Sequence, residues 1–417
     1  MTTFEITSPE HLDADILLPA SKSISNRALI ACALAGGSEL PDNLSDCDDT
    51  HVVINALRNM PQTIDIGAAG TAMRFLTAYL SCTDGEHVIT GTERMKHRPI
   101  GVLVEALRTL GADISYEGEE GFPPLRIRGH KLMGGNLEIP GNISSQFISA
   151  LLLCAPMMEH GLTLNLTGGI VSRPYIDLTL NVMHAYGAEV DWADADTVVV
   201  KPKPYLGRHY LIENDWSAAS YWYEMAALYP VGSVSVKLNG LMDSSRQGDS
   251  VIRYIFSLLG VRTTFDSPHS SQPSSVRLAR HAQPVERLDY DFINCPDLAQ
   301  TVVATCCALG VPFHFTGLAS LRIKETDRLK ALQNELQKLG FLIHAENDSE
   351  LVWSGAKCEP AANPTIDTYD DHRMAMALAP LAIKVPGLRI NNPEVVTKSY
   401  PGFWQDIRNA GFGIKNL

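Results

Sequence analysis

Hydrophobic positions along the chain follow two helical patterns that alternate. In the first pattern, small apolar residues fill every face of a predicted helix after a polar start, as in 21–37, SKSISNRALIACALAGG. In the second, apolar residues recur every three or four positions before a turn and a short strand, as in 103–116, LVEALRTLGADISY. The first pattern predicts a helix that is buried on all sides, and the second predicts an amphipathic helix.

Both patterns recur at intervals of about 75 residues, which indicates an internal repeat. The all-apolar helices are predicted to begin near residues 21, 68, 142, 214, 294 and 370. The amphipathic segments cover 54–66, 103–116, 178–192, 251–265, 329–345 and 403–414. Five of these six carry glycine where the helix should end, as a left-handed cap requires. Alternating segments such as HVITGT, LTLNLTGG and VSVKLNG predict strands between the helices.

Six units of two helices and several strands predict an α/β protein, because each unit is too long for a solenoid repeat. Three units per domain is the natural division of 417 residues. The chain is expected to cross between domains near 17–21 and again near 210–216, after the proline-rich stretch KPKPYLGRHYLIEND. The predicted domains are residues 1–19 with 214–417, and residues 20–213.

Charge and composition exclude several functions. A net charge of −13 argues against a nucleic-acid or anionic-membrane partner, which would need a broad basic surface. The sequence has neither a signal-like opening nor an apolar run of membrane-spanning length, so we expect a cytoplasmic protein. The eight cysteines contain no CxxC pair and are predicted to be buried, reduced thiols.

Candidate anion-binding groups stand at the starts of the all-apolar helices. A helix start offers unpaired backbone N–H groups and the positive end of the helix dipole, so it suits phosphate or carboxylate. Ser144, Ser145 and Gln146 add neutral donors in one such start. The basic residues of this set are Lys22, Arg27, Arg98, Lys324, Arg328, Arg373 and Lys398.

Each of these groups also has a purely structural interpretation. SKSISNR resembles a serine-capped first turn, Asp297 a carboxylate favoured by the helix dipole, and His372 a partnered structural histidine. KETDR is compatible with a helix capped by Thr326. Recurrence at equivalent positions of six units favours the functional interpretation, because independent surface charges would not follow a repeat.

The same motifs, taken together, resemble the 5-enolpyruvylshikimate-3-phosphate synthases of the enolpyruvyl transferase family. The resemblance runs in order through PASKSISNRALI, GTAMRFL, ERMKHRPIG, GNISSQFISALLL, VSRPYIDLTL, QGD, PDLAQT, KETDRL, YDDHRMAMALA and TKSYPGFW. It implies a two-domain inside-out α/β barrel of six βαβαββ units, three in each domain, with the active site in the interdomain cleft. It implies transfer of the enolpyruvyl group of phosphoenolpyruvate to the 5-hydroxyl of shikimate 3-phosphate, with loss of phosphate. No metal or cofactor is implied, and we expect a monomer whose domains close on the substrates.

The resemblance also implies roles for individual residues. Those expected to bind shikimate 3-phosphate are Ser23, Arg27, Ser144, Ser145, Ser172 and Tyr175, with Gln146 close to both substrates. Those expected to bind phosphoenolpyruvate are Lys22, Gly70, Arg98, Arg328, Arg373 and Lys398. The expected proton-handling group is Asp297, Lys324 and Glu325, with Glu325 as the acid and Asp297 as the base, and Lys22, His372 and Lys398 complete the candidate catalytic set.

Three positions depart from the family pattern. Ala68 stands where an asparagine is usual, Ser320 replaces another asparagine four residues before Lys324, and Trp216 occupies a helix start where smaller residues are common. Two other functions stay open at this point. One is enolpyruvyl transfer to UDP-N-acetylglucosamine, although the lysine-asparagine opening and loop cysteine of that sister family are absent. The other is a non-catalytic anion-binding protein that has kept the fold.

Overall fold

A computed structural model describes residues 2–37, 39–270 and 272–417. The chain forms two compact units, one of residues Met1–Pro19 and Glu213–Leu417 and the other of Ala20–Ile212. The second crossing lies one residue earlier than the predicted boundary. Glu213 belongs to the first unit because its carboxylate accepts hydrogen bonds from Trp216 and Gln247 of that unit.

The helices of the described residues alternate with short strands along the chain. The α-helices are α1 Lys22–Leu34, α2 Asp48–Asn59, α3 Gly70–Ser81, α4 Glu93–Lys96, α5 Gly101–Thr109, α6 Ser145–Cys154, α7 Arg173–Ala185, α8 Trp216–Leu228, α9 Ile252–Leu258, α10 Ala299–Leu309, α11 Arg328–Lys338, α12 His372–Leu378 and α13 Phe403–Asn409. Short 3-10 turns that bear on the site are Pro296–Leu298, Ala319–Ile323 and Pro393–Lys398.

The strands are short, as expected for the alternating segments. They are β1 Thr3–Thr7, β2 Leu12–Leu17, β3 Thr63–Asp65, β4 Gly85–Thr90, β5 Asp113–Tyr116, β6 Leu125–Gly129, β7 Gly135–Pro140, β8 Leu162–Thr167, β9 Val190–Trp192, β10 Thr197–Val200, β11 Val234–Leu241, β12 Val261–Phe265, β13 Ser274–Arg280, β14 Leu288–Asp291, β15 Phe313–Thr316, β16 His344–Glu346, β17 Glu350–Trp353, β18 Thr365–Ile366, β19 Leu388–Asn391 and β20 Gly413–Asn416.

Five four-stranded sheets, counted over the described residues, share one strand order. Three are formed by consecutive strands, in the orders β3-β4-β6-β5, β7-β8-β10-β9 and β14-β15-β17-β16. In each, the first two strands are parallel and the other pairs are antiparallel. The sheet β2-β11-β13-β12 has the same pattern, although residues 20–212 separate β2 from β11. In the fifth, β18-β19-β1-β20, the N-terminal strand supplies the third position.

The first predicted unit differs, because α1 and α2 have no four-stranded sheet among the residues described. A single parallel bridge between Asp42 and Leu211 stands in its place. The physical reason is chain length: only residues 60–62 connect α2 to β3, which is too few for a hairpin. β3 itself pairs with β4 of the following unit.

The predicted all-apolar helices form the cores of the two units. In α8 and α12 every residue is buried, and α1, α3, α6 and α10 bury nearly all of theirs. The glycine caps are confirmed, since Gly111, Gly187, Gly260, Gly340 and Gly411 all have positive φ after amphipathic helices. The sixth helix of this kind, α2, ends instead on left-handed Met60. No helix in the described part of the chain is long and apolar enough to cross a membrane.

The cysteine prediction holds for six of eight residues. None of the eight forms a disulfide, and six are buried. Cys82 and Cys358 are only partly buried: Cys82 follows the last residue of α3, and Cys358 lies in the loop between β17 and β18. Across the described ranges, no three His, Cys, Asp or Glu side chains are arranged to hold a metal ion.

Glu224 is an exception in the α8 core. Its side chain is fully buried, and neither carboxylate oxygen has a hydrogen-bond partner among the residues that the structure describes. Burial raises the pKa of Glu224 well above its usual range. A group with a raised pKa in the folded state lowers stability as the pH rises above its unfolded value, about 4.3 for glutamate.

We therefore expect Glu224→Met to raise the free energy of unfolding by about 1–3 kcal/mol at pH 8, because it removes an unpaired buried carboxyl. The gain should shrink as the pH is lowered toward 4. Urea unfolding of both proteins between pH 4 and pH 8 measures it. The same change at exposed Glu286 is the control and should have little effect at any pH. A gain that is independent of pH would contradict the account.

Candidate active site

Lys22 begins α1 next to the serine that caps it. Ser21 accepts a hydrogen bond from the Ile24 amide at 3.4 Å, so the first turn is capped by a side chain as expected. Lys22 Nζ lies 3.1 Å from Asp49 Oδ2 in the first turn of α2, with 16% of the lysine side chain exposed. Sequence reasoning missed Asp49. The signal was the pair Asp48–Asp49 at a helix start in an otherwise anion-binding region.

Arg27 is held by neutral groups. Its Nε donates to Thr179 Oγ1 at 2.7 Å, and its other nitrogens donate to Ser149 Oγ and to the carbonyls of Ser23 and Tyr175. Burial lowers the pKa of Arg27 to about 10, so it stays charged at neutral pH. Only 2% of the residue is exposed, so the guanidinium itself offers little surface to a ligand in this structure. Its charge instead makes the surrounding helix starts electropositive.

The starts of α3 and α6 meet through a side-chain hydrogen bond. Gln146 Nε2 in α6 donates to Thr71 Oγ1 in α3 at 3.1 Å. Arg98 lies against the first residue of α3, and a Cβ on Gly70 would stand 2.6 Å from its Nη1. Only glycine permits this approach. Arg98 Nε is buried without a hydrogen-bond partner among the described residues.

The remaining predicted ligands of this unit lie at two helix starts. Ser144 caps α6 by accepting from the Gln146 amide at 3.4 Å, and Ser145 is the first residue of the helix. Ser172 precedes α7 in a left-handed conformation, with φ of 55°. The Tyr175 amide donates to the Ser172 carbonyl, while its own carbonyl accepts from Arg27. Arg27 therefore joins α1 to the start of α7, as Gln146 joins α6 to α3.

In the other unit, Asp297 is the centre of a charged cluster. It lies in the 3-10 turn before α10, and its carboxylate is 3.1 Å from Arg328, 3.1 Å from Arg373 and 3.5 Å from Lys324. Burial acts to raise the pKa of the Asp297 carboxyl, but the charges of Arg373, Lys324 and Arg328 outweigh burial and hold the pKa well below its ordinary value. The carboxylate is therefore ionised.

Arg328, the first residue of α11, connects three carboxylates. Besides Asp297, it binds Glu325 at 3.1 Å and Asp371 through both Nε, at 2.7 Å, and Nη2, at 3.2 Å. Burial would lower the pKa of Arg328, but the carboxylates of Asp371, Glu325 and Asp297 raise it, so the guanidinium is permanently charged. Asp371 was missed as a site residue although it lies in the DDHRM motif. Its position before a helix start and next to two basic partners was the available signal.

Glu325 lies between two cations of this unit. Its Oε1 is 2.7 Å from Lys398 Nζ and its Oε2 is 3.1 Å from Arg328 Nη2. Lys398 closes the 3-10 turn Pro393–Lys398 and is mostly buried. His372 is also buried, with Nδ1 3.8 Å from Asp371 Oδ1. The α11 cap is Asp327, which accepts from the Lys330 amide, so the expected cap at Thr326 is wrong by one residue.

The candidate residues thus form one set in each unit. The set in residues 20–212 is Lys22, Ser23, Arg27, Gly70, Arg98, Ser144, Ser145, Gln146, Ser172 and Tyr175. The set in the other unit is Asp297, Lys324, Glu325, Arg328, His372, Arg373 and Lys398. The second set forms a connected network of ion pairs, and the first is connected by hydrogen bonds to neutral groups and by the Lys22–Asp49 pair.

Comparison with known proteins identifies related chains over the full length. The sequence model of the family described as EPSP synthase (3-phosphoshikimate 1-carboxyvinyltransferase) matches residues 6–64 and 60–407. A 3-phosphoshikimate 1-carboxyvinyltransferase of Bacteroides fragilis is 55% identical over 410 residues, 98% of each chain. The protein of the same name from Aliivibrio salmonicida is 35% identical and covers 95% of this chain and 96% of its own. The solved structure of EPSP synthase from Acinetobacter baumannii has the same fold, with a TM-score of 0.79 at 22% identity over all of both chains.

The Asp297 network predicts a defined pH dependence of stability. Asp297→Asn should lower the free energy of unfolding at pH 7 by about 3 kcal/mol, because it leaves three cations with one fewer counter-charge. The pKa of Asp297 is depressed in the folded state, so the wild-type advantage exists above the unfolded value of about 3.9 and is lost as the pH falls below it. Urea unfolding should show the same difference in the free energy of unfolding between wild type and variant at pH 7 and pH 5, and a smaller difference at pH 3.5.

Asp266→Asn provides the control, since Asp266 pairs with Arg277 at an exposed position and should contribute less than about 1 kcal/mol. If Asp297→Asn were as mild as this control, Asp297 would not be the centre of the cluster.

Proposed function

The chain belongs to the EPSP synthase family, and from that premise we propose which of its residues carry the reaction. The protein transfers the enolpyruvyl group of phosphoenolpyruvate to the 5-hydroxyl of shikimate 3-phosphate and releases phosphate, a step of aromatic amino-acid biosynthesis. The transfer proceeds by addition and elimination through a tetrahedral intermediate. The observation that supports the residue assignment best is the network in which Asp297, Glu325 and Asp371 share Arg328.

Electrostatics explains why this enzyme needs so many cations. Each substrate carries a phosphate and a carboxylate, so binding both places several negative charges side by side. We assign Lys22, Gly70, Arg98, Arg328, Arg373 and Lys398 to phosphoenolpyruvate. Arginine binds carboxylate and phosphate through two parallel hydrogen bonds, whereas lysine provides a compact charge.

The other candidate residues in the unit of residues 20–212 are assigned to shikimate 3-phosphate. The proposed ligands are Ser23, Ser144, Ser145, Ser172 and Tyr175, with Gln146 shared between the substrates and the buried Arg27 acting on the anion through its charge. Support comes from the helix starts that these residues occupy, because a start presents backbone N–H groups to an anion. Two departures from the family pattern, Ala68 and Ser320, each remove a side-chain amide and should alter affinity rather than the reaction.

Proton transfer is assigned to the carboxylates of the other unit. Addition requires a proton on the methylene carbon, for which we propose Glu325, and loss of the hydroxyl proton, for which we propose Asp297 assisted by Lys324. While Arg373, Lys324 and Arg328 surround Asp297, they hold its pKa well below its usual range, so it is a weak base. Substrate anions that bind these cations would raise its proton affinity at the moment it is needed. Lys22 and Lys398 would stabilise the departing phosphate, and His372 completes the proposed catalytic set.

The finer description of the fold is also a proposal. We propose the inside-out arrangement of six βαβαββ units, three per domain, with domains of residues 1–19 and 213–417 and of 20–212, and the unit around α1 and α2 reduced in its sheet. The shared order of five sheets and the all-round burial of α8 and α12 support it. We further propose a cytoplasmic monomer that acts on small molecules without a metal or cofactor.

We expect purified protein to release phosphate from phosphoenolpyruvate only when shikimate 3-phosphate is present. A coupled phosphate assay measures this directly. UDP-N-acetylglucosamine is the control acceptor and should give no release. Activity with the nucleotide sugar would assign the chain to the sister reaction, and binding without turnover would make it a non-catalytic anion-binding protein.

Glu325→Gln should lower kcat by about 10²- to 10⁴-fold while leaving both KM values nearly unchanged, because it removes the acid but keeps the shape. Steady-state kinetics with each substrate varied in turn measures both effects. Glu359→Gln, at an exposed position, is the matched control and should retain full activity. Near-normal kcat in the Glu325 variant would exclude Glu325 as the acid.

A further inference from the structure

The turn that leads into α12 has an unfavourable backbone. The Thr368 carbonyl accepts from the Asp371 amide at 2.9 Å, and both central residues have positive φ, 54° for Tyr369 and 53° for Asp370. Two left-handed residues in succession define a mirror-image turn that glycine, asparagine and aspartate normally occupy. A tyrosine has a Cβ that clashes in this region, so the turn requires support from outside itself.

That support comes from a buried glutamate on α11. Glu335 is fully buried, and its Oε1 accepts a hydrogen bond from the Tyr369 hydroxyl at 2.6 Å. Its Oε2 accepts from the Asp367 amide at 2.9 Å and from Lys338 Nζ at 2.7 Å. Lys338 also reaches the Asp367 carboxylate at 2.8 Å, so the segment before the turn is bound to the same helix.

The Tyr369 hydroxyl is suited to act as a lasting donor. Partial burial and the adjoining Glu335 carboxylate raise the pKa of Tyr369, so the hydroxyl keeps its proton at any physiological pH. A hydrogen bond from a neutral hydroxyl to a buried carboxylate is among the stronger ones in proteins. The lysine satisfies the charge of Glu335, so the tyrosine is not needed to neutralise it.

The strained turn ends on the residue that holds the arginines. Asp371 is the last residue of the turn. Its carboxylate binds Arg328 Nε at 2.7 Å and caps α12 by accepting from the Arg373 amide at 2.9 Å. Helix α11 is thus bound to this turn at two levels, through Arg328 at its first residue and through Glu335 two turns later. A change in the turn would displace Asp371, and with it both arginines.

We propose that Tyr369 and Glu335 are positioning residues for phosphoenolpyruvate, because their hydrogen bond holds the turn in the conformation that places Asp371, Arg328 and Arg373. The proposal depends on the assignment of these arginines to phosphoenolpyruvate made above. Neither residue touches the substrate. Their effect is on the fraction of molecules in which the arginines are correctly placed.

Tyr369→Phe removes the hydroxyl and keeps the ring. When only a fraction of the molecules has its arginines placed to bind phosphoenolpyruvate, the apparent affinity equals the intrinsic affinity multiplied by that fraction. Saturating phosphoenolpyruvate restores the binding-competent state. We therefore expect KM for phosphoenolpyruvate to rise about tenfold, with kcat and KM for shikimate 3-phosphate within about twofold of wild type. Steady-state kinetics with each substrate varied in turn provides all three values. Glu335→Gln, which replaces one of the two acceptor oxygens with a donor, should shift the same KM in the same direction.

Tyr223→Phe is the matched control. Tyr223 is fully buried in the same unit, and its hydroxyl is hydrogen-bonded to Thr263 Oγ1 at 2.9 Å, away from the candidate residues. This variant should lose thermal stability without changing either KM. If the role of Tyr369 were purely structural, Tyr369→Phe would likewise lower the melting temperature and leave both KM values unchanged. That result would overturn the proposal.

Relief of the backbone strain provides a rescue. Asp370 is exposed and has positive φ, so Asp370→Gly should lower the cost of the turn at one of its two central residues. In the double variant with Tyr369→Phe, we expect KM for phosphoenolpyruvate to return part of the way to the wild-type value. No recovery would refute the link between strain and binding. If wild-type protein gave no turnover with these substrates, the proposed function would be wrong. If wild-type protein were active but the variants did not change KM as described, only the role of Tyr369 and Glu335 would be wrong.

Discussion

Positive charges must be held close together before the substrates arrive, and the rest of the site depends on how this is done. In the unit that contains α10, α11 and α12, each cation of the cluster is matched to a carboxylate. Arg328 binds three of them, Lys398 binds Glu325, and Arg373 binds Asp297. The chain as a whole has a net charge of −13, but the counter-charges come from three carboxylates of the cluster itself, Asp297, Glu325 and Asp371. An acidic protein can therefore contain a strongly anion-binding site.

The unit of residues 20–212 solves the same problem differently. Arg27 is almost fully buried, yet its partners are hydroxyl groups and backbone carbonyls, and an aromatic ring lies 5.4 Å from its guanidinium carbon. Burial without a counter-charge costs stability, as the lowered pKa of Arg27 indicates. In return no carboxylate competes with a ligand for the charge of Arg27, although Asp49 does pair with Lys22 at the start of α1. Hydroxyl partners such as Thr179 and Ser149 fix the geometry of the guanidinium without cancelling its charge.

Much of this arrangement could be predicted from the sequence, because it depends on residues close together in the chain. The internal repeat shows the same local pattern six times. The buried helices, the glycine caps and the basic residues at helix starts all depend on nearest neighbours in the chain. The partners of those residues depend on tertiary contacts. Asp49 reaches Lys22 across 27 residues, and Asp371 reaches Arg328 across 43, so neither pair has a local signature. The reduced sheet beside α1 was missed for a related reason, since periodicity predicts helices but not the number of residues left for a hairpin.

The carboxylates that keep the cations in place are also the groups proposed to move protons, and this double use couples binding to chemistry. While Arg328, Arg373 and Lys324 surround Asp297, its pKa stays well below the usual range and it cannot accept a proton effectively. A substrate phosphate or carboxylate that binds the same cations offsets their charge and weakens their hold on Asp297. Its proton affinity then rises only in the complex. An enzyme of this design is a poor base without its substrates and becomes a competent one when the anions that it must process take over the partners of its carboxylates.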